Sequence, residues 1–263
     1  MAGKRQEKEV RTLQYVAVIA VAMSVVLSAA AFWEEKPFTQ WSEKDVEKIL
    51  TESPWAGKAS ITHEKAGASL GPVPDWKLIV TVRSATPIRQ ALARRQLLAG
   101  ATASPDLETN LATPHPRYAF AISNIPRLYQ MQLAKSAQAA VLKLKGKPVS
   151  ATDASVILLD KNGNVVDSPP PGRGRQGSVG GAQIVLAAQR GGGGGGFGGG
   201  GFGGGFGAED KSGITATLFV EFPRADAVAA TDGEVELSTV IGNYAVKHAF
   251  KLKDMTYKGA LAF

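Results

Sequence analysis

The chain has 263 residues, with 30 lysines and arginines against 23 aspartates and glutamates, a formal charge of +7 at neutral pH, and no cysteine. The lack of cysteine excludes disulfides, a thiol nucleophile, thiolate metal sites and lipid attachment through an N-terminal cysteine, so the fold must hold by packing. The positive balance is mild and spread along the chain, which describes an ordinary solvated surface.

Residues 1–14 form a basic leader in which Lys4, Arg5, Lys8 and Arg11 outweigh Glu7 and Glu9. Residues 15–32 (YVAVIAVAMSVVLSAAAF) carry no charge. Eighteen helical residues span about 27 Å, close to the hydrocarbon core of a bilayer. A hydrophobic helix here, with cations behind it, is expected to meet the membrane and direct the rest of the chain outward. Ser28, Ala29, Ala30 and Ala31 offer a small-residue cleavage site, whereas Phe32 and Trp33 suit the headgroup layer of an uncut anchor. The predicted location is the cell membrane, facing the periplasm or exterior, and periplasmic or secreted if the segment is cut near Ala31. Setting residues 1–31 aside removes four basic and two acidic residues and leaves a charge of +5.

Residues 33–56 read as an amphipathic helix. Ser42 is placed as its N-cap, Asp45 follows in the capping-box position, Val46, Ile49 and Leu50 form one apolar face, and Ser53-Pro54 ends it. Trp41 and Trp55 flank this helix and are the first interaction candidates, although aromatics in such positions more often pack against the domain they dock on.

Residues 57–150 alternate strands and helices. WKLIVTVR places Trp76, Leu78, Val80 and Val82 on one side with Lys77, Thr81 and Arg83 opposite, the pattern of a half-buried strand. Thr86-Pro87 opens a helix from residue 88 to 98, locally basic through Arg89, Arg94 and Arg95. Residues 100–116 are predicted to be a loop, and His115 within it has no second ligand at metal-binding spacing. RYAFAIS is a strand, and residues 126–144 read as a helix carrying Leu128, Met131, Leu133, Ala137 and Val141, with Gly146 as its C-cap.

Residues 151–263 are predicted to be β-rich. SVILLDKNGNVVD suggests a hairpin turning at Asn162-Gly163, whose faint likeness to a calcium loop fails on spacing. AQIVLAAQ is a further strand. The glycine-rich insert 190–212 offers no side chains to bury except Phe197, Phe202 and Phe206, which are candidates for contact with a partner or bilayer. ITATLFVEF, EVELSTVI and YAVKHAFKL are three strands, the last two joined at Gly242-Asn243, and Met255 to Phe263 closes as an edge strand. His248 falls on the apolar side, where a histidine is more often hydrogen-bonded in a core than catalytic.

The predicted fold class is α+β: an N-terminal hydrophobic helix, a mixed strand and helix section, and a C-terminal antiparallel β-rich section, sandwich-like or a single sheet. The segments WSEKDVEKILTESPWA (41–56), SATPIRQALAR (84–94), FPR (222–224) and FKLKDMTYKG (250–259) resemble a group of uncharacterised exported proteins of Acidobacteria-type bacteria. That resemblance implies export and carries no activity, ligand or catalytic residue.

A hydrolase needs a base beside a nucleophile, or two carboxylates with separated pKa values. His63, His115 and His248 are scattered, no G-x-S-x-G elbow occurs, and only Asp226 and Asp232 make a conceivable pair. The sequence therefore assigns no catalytic residue, cofactor or metal. It points to an exported, membrane-tethered or periplasmic envelope protein that binds a partner or serves a structural role, touching the membrane through residues 15–32, with a protein or envelope partner and no nucleic acid. An envelope hydrolase with an unrecognised site is the alternative.

Overall fold

The computed structural model describes residues 32–65, 71–159, 165–166, 213–225 and 227–263. The apolar segment 15–32 apart from Phe32, the Asn162-Gly163 turn, the AQIVLAAQ strand, the glycine-rich insert 190–212 with Phe197, Phe202 and Phe206, and Asp226 lie outside the described residues. Among the described residues no helix is long and apolar enough to cross a membrane.

The chain divides into two compact units, Met1–Trp41 and Ser42–Phe263. In the first, a short helix α1 (Phe32–Glu35) is followed by the 3₁₀ turn Phe38–Gln40. Pro37 is extended at the start of that turn. Proline lacks an N–H and pushes the residue before it out of helical geometry, so α1 stops short of Pro37, and the amphipathic helix begins at the expected Ser42 cap.

The second unit begins with Ser42, which caps α2 (Glu43–Thr51). The Ser42 hydroxyl accepts from the Asp45 N–H at 3.2 Å while the Asp45 carboxylate accepts from the Ser42 N–H at 2.9 Å. This reciprocal capping box satisfies two otherwise orphaned donors. Val46 and Ile49 are buried below it.

Two strands follow, β1 (Ala56–Lys58) and β2 (Ser60–His63), separated by Ala59 alone yet belonging to different sheets. The first sheet has the order β1-β3-β4-β8-β7, with β3 (Ile79–Val82), β4 (Arg117–Pro126), β7 (Asp153–Leu159) and β8 (Thr215–Pro223). The second has the order β2-β10-β9-β5-β6, with β5 (Val141–Leu144), β6 (Lys147–Ser150), β9 (Glu234–Ile241) and β10 (Tyr244–Lys251). Every pairing is antiparallel. The fold is thus α+β with antiparallel sheets. Each sheet takes strands from both sides of residue 150, so the sections 57–150 and 151–263 interleave within one unit.

The two sheets meet where Phe120 of β4 lies 5.9 Å from Phe250 of β10, centre to centre, with Phe222 5.8 Å and Phe263 6.1 Å from the same ring. Leu218, Val220, Val235, Leu237 and Val246 fill the space around them. The Trp76-to-Arg83 stretch departs from its half-buried reading, because Ile79 and Thr81 are buried as well as Val80 and Val82. β3 lies second in its sheet and is covered on both faces, a placement that local alternation cannot reveal.

α3 (Thr86–Leu98) forms as expected, with Pro87 in its first turn. The predicted loop 100–116 contains a short helix, α4 (Leu107–Ala112). Arg89 of α3 donates to the carbonyls of Asn110, Leu111 and Thr113, so this arginine holds the end of α4 instead of facing solvent as part of a basic stripe.

The helix predicted over residues 126–144 is not formed as such. A 3₁₀ turn Arg127–Gln132 and α5 (Leu133–Gln138) occupy its first part, and β5 the remainder. Lys145 and Gly146, at φ of 49° and 77°, make the two-residue connection of the β5–β6 hairpin. Both central residues of such a turn need positive φ, which glycine adopts without cost, so Gly146 serves a hairpin and not a helix cap. Lys258 and Gly259, at 51° and 76°, repeat the device between β11 (Thr256–Tyr257) and β12 (Ala260–Leu261), so the expected final edge strand is a small separate hairpin.

Candidate functional site

At one end of the second sheet, four rings from four separate elements come together. Tyr244 starts β10 and pairs in register with His63 at the end of β2, their rings 5.5 Å apart. Trp76, from the extended segment before β3, lies 5.1 Å from Tyr244 and 4.7 Å from Tyr129 of the 3₁₀ turn, edge to face with both. All four residues are half-buried.

Local chemistry fixes this cradle. β4 carries a bulge between Ile122 and Ile125, and within it Asn124 adopts a φ of 64°. The Asn124 side-chain amide donates to the Lys77 carbonyl at 3.1 Å, which ties down the residue beside Trp76. Bulges re-aim side chains in this way, and asparagine tolerates the left-handed region better than most residues. On the opposite wall, Gly242 turns β9 into β10 with a φ of 64°. A Cβ at Gly242 would stand 2.8 Å from Cε1 of Tyr129, so only glycine lets that ring close on the turn.

The cradle is polar at its rim. Burial, and next to it the Tyr244 hydroxyl, raise the Tyr129 pKa above its ordinary value, so Tyr129 stays a neutral donor and acceptor. His63 Nδ1 is buried without a hydrogen-bond partner. The exposed Asp75–Lys77 pair, 2.6 Å apart, flanks Trp76 and contributes little stability. Leu128 and Met131, on the same 3₁₀ turn as Tyr129, are 60% and 88% exposed, and Val73 just before Trp76 is 42% exposed. Large apolar side chains therefore stay open to solvent in the segments that carry Trp76 and Tyr129.

The residues singled out from the sequence lie elsewhere. Trp41 is fully buried, with the rings of Phe32 and Phe38 at 6.2 and 6.4 Å and its indole N–H on the Lys36 carbonyl at 3.1 Å. Trp55 is also fully buried; its N–H donates to the Ala262 carbonyl at 2.6 Å and Tyr257 stands edge-on at 6.5 Å. Neither indole presents a face to a ligand, because both are consumed by packing.

His248 is held in the same way. Its Nδ1 lies 2.8 Å from the Lys58 carbonyl, which fixes it as the protonated nitrogen, and Phe250 stands 4.5 Å from its ring. Gly57 leaves room for that ring, since a Cβ there would come within 2.6 Å of His248 Cε1. Burial lowers the His248 pKa below its ordinary value, partly offset by the Lys58 hydrogen bond. The neutral form is therefore the native one. Its contribution to stability is complete above the ordinary histidine pKa of about 6.5 and is lost as pH falls below it. The expected result is a melting temperature that drops between pH 7 and pH 5 by less in His248→Gln than in the parent chain, read by circular dichroism.

Asp232, half of the conceivable acidic pair, accepts from the Ala229 N–H at 2.7 Å and from Lys145 at 3.1 Å. The Ala229 N–H first, and then Lys145, hold its carboxyl below the usual range, which suits a structural anion more than a proton donor. His115 is buried with its Nδ1 2.8 Å from the Arg117 carbonyl. Among the described residues no group of three or more histidine, aspartate or glutamate side chains could hold a metal.

Comparison of the chain with protein-family models, with curated proteins and with solved structures finds no match to any of them.

Proposed function

We propose that this chain is an exported protein of the cell envelope, tethered by a hydrophobic helix over residues 15–32 or released after it, and that it works by docking a protein partner on the Trp76 cradle. The observation that carries the docking is the ring cluster Trp76, Tyr129, Tyr244 and His63 beside the exposed Leu128 and Met131. Tyrosine, tryptophan and methionine supply large contact area at protein interfaces, and a rigid aromatic group loses little entropy on binding. Export rests on the uncharged stretch behind a basic leader, and on the resemblance to other exported proteins. The partner is a protein and not nucleic acid, because apolar rings and a near-balanced pair of rim charges would meet it.

A photo-crosslinking residue at position 131, introduced into the full chain in intact cells, tests the docking. A discrete adduct with one protein is expected, reduced about tenfold or more by Trp76→Ala, a hot-spot loss of ~1.4 kcal/mol or more. Adducts unchanged by Trp76→Ala, or identical to those from the exposed position 251, overturn it. Fractionation with N-terminal sequencing tests the location, and recovery of the intact chain among ribosomes overturns that part independently.

A further inference from the structure

The Trp76 cradle holds hydrogen-bond donors that the fold does not use. Among the described residues, no acceptor meets the indole N–H of Trp76 or the hydroxyls of Tyr129 and Tyr244. All three stay open to solvent, unlike the sealed Nδ1 of His63. The rings that carry them stand close together. Tyr129 and Tyr244 lie 4.7 and 5.1 Å from Trp76, centre to centre, inclined to it at 65° and 79°. Rings set edge to face in this way present ridges with grooves between them, each bordered by a donor.

What fits such a surface is decided by what a docked backbone leaves unpaired. An α-helix satisfies its carbonyls internally, so three donors facing it would lose their water and gain nothing. A strand needs a run of free backbone groups at a sheet edge, and β2, the edge that carries His63, is only four residues long. A polyproline II segment makes no internal hydrogen bonds, so every carbonyl is free to accept, and proline has no N–H that calls for an acceptor in return. Its pyrrolidine rings pack on aromatic grooves, and its stiffness limits the entropy lost on binding. One turn of three residues covers ~9 Å, enough to reach all three rings of the cluster. At the rim Asp75 and Lys77 cancel each other at 2.6 Å, which suits an uncharged segment.

We propose that the cradle takes a proline-rich segment of its protein partner in the polyproline II form. Proline rings lie against Trp76, Tyr129 and Tyr244, and the segment's carbonyls accept from the indole N–H and the two hydroxyls. The assignment rests on docking at the Trp76 cradle and adds to it the chemistry of what docks.

The experiment is fluorescence anisotropy of a labelled, end-blocked oligoproline of about nine residues, ~28 Å long, titrated with the detergent-solubilised full chain. A glycine–serine peptide of the same length and an amphipathic leucine–lysine helix are the comparison probes. Saturable binding of the oligoproline is expected, with both comparison peptides about tenfold weaker or more. Trp76→Ala is expected to weaken oligoproline binding about tenfold or more. Tyr129→Phe and Tyr244→Phe keep the rings and remove one donor each, so each is expected to weaken it about fivefold at an unchanged melting temperature. Lys251→Ala, exposed at the far end of β10, is the control and is expected to bind as the parent does. A helical peptide that binds as tightly as the oligoproline, or two Tyr→Phe variants that bind as the parent does, overturns the assignment. No saturable oligoproline binding, beside a Trp76-dependent adduct from position 131, overturns it and leaves the docking in place. Absence of both the binding and that adduct removes the docking as well.

Discussion

Phe120→Ala is expected to lower the unfolding free energy by ~3 to 5 kcal/mol, the range for deleting a large buried aromatic with little collapse around the hole. Its ring is wholly buried and touches aromatics from three directions: Phe222 on the neighbouring strand, Phe250 in the opposite sheet and Phe263 near the closing hairpin. A cavity there loosens both sheets at once, because none of these rigid rings can swing in to fill it. Against a typical domain stability of ~5 to 15 kcal/mol, that is about a fifth of the total or more. Urea titration followed by circular dichroism measures it, with Phe120→Leu as the shape-tolerant control expected to cost about 1 kcal/mol. A loss below about 1 kcal/mol for the alanine variant contradicts the placement of this ring between the sheets.

Trp55→Ala is expected to cost a similar ~3 to 5 kcal/mol, for a different combination of reasons. The indole is fully buried, and its N–H is the donor to the Ala262 carbonyl at 2.6 Å. Removing it opens a void beside Tyr257 and takes away the donor of the half-buried Ala262 carbonyl, a hydrogen bond worth about 1 kcal/mol. Trp55→Phe separates the two terms, since it keeps most of the volume and loses only the donor. Denaturant midpoints of the three proteins give the partition. If Trp55→Ala were as stable as the parent while losing a binding partner, this tryptophan would belong to an interaction surface after all.

What could be read from the chain was what local chemistry decides. The Ser42 and Asp45 capping box lies within four consecutive residues, and β9 shows clean alternation of buried and half-buried residues over Val235–Ile241. Residues 126–144 were ambiguous because Leu128, Met131 and Leu133 fit helical spacing while Leu142 and Leu144 fit a strand, and the Lys145-Gly146 turn favours the strand only once both residues are seen at positive φ. The cradle had no local signature at all. Its rings come from the end of β2, the approach to β3, the turn after β4 and the start of β10, so proximity depends on the sheet order.

The lone Ala59 between β1 and β2 commits neighbouring residues to opposite layers, and β2 finds its hydrogen-bond partner only in Tyr244–Lys247. A growing polypeptide cannot complete that edge until residues 244–247 have been synthesised, so β10 acts as the clasp that holds β2 in its layer. Long-range closure of this kind is slow, and it keeps the early half pliable. On the proposal of export, a chain that stays open until β10 is made could still pass a narrow gate before taking its shape.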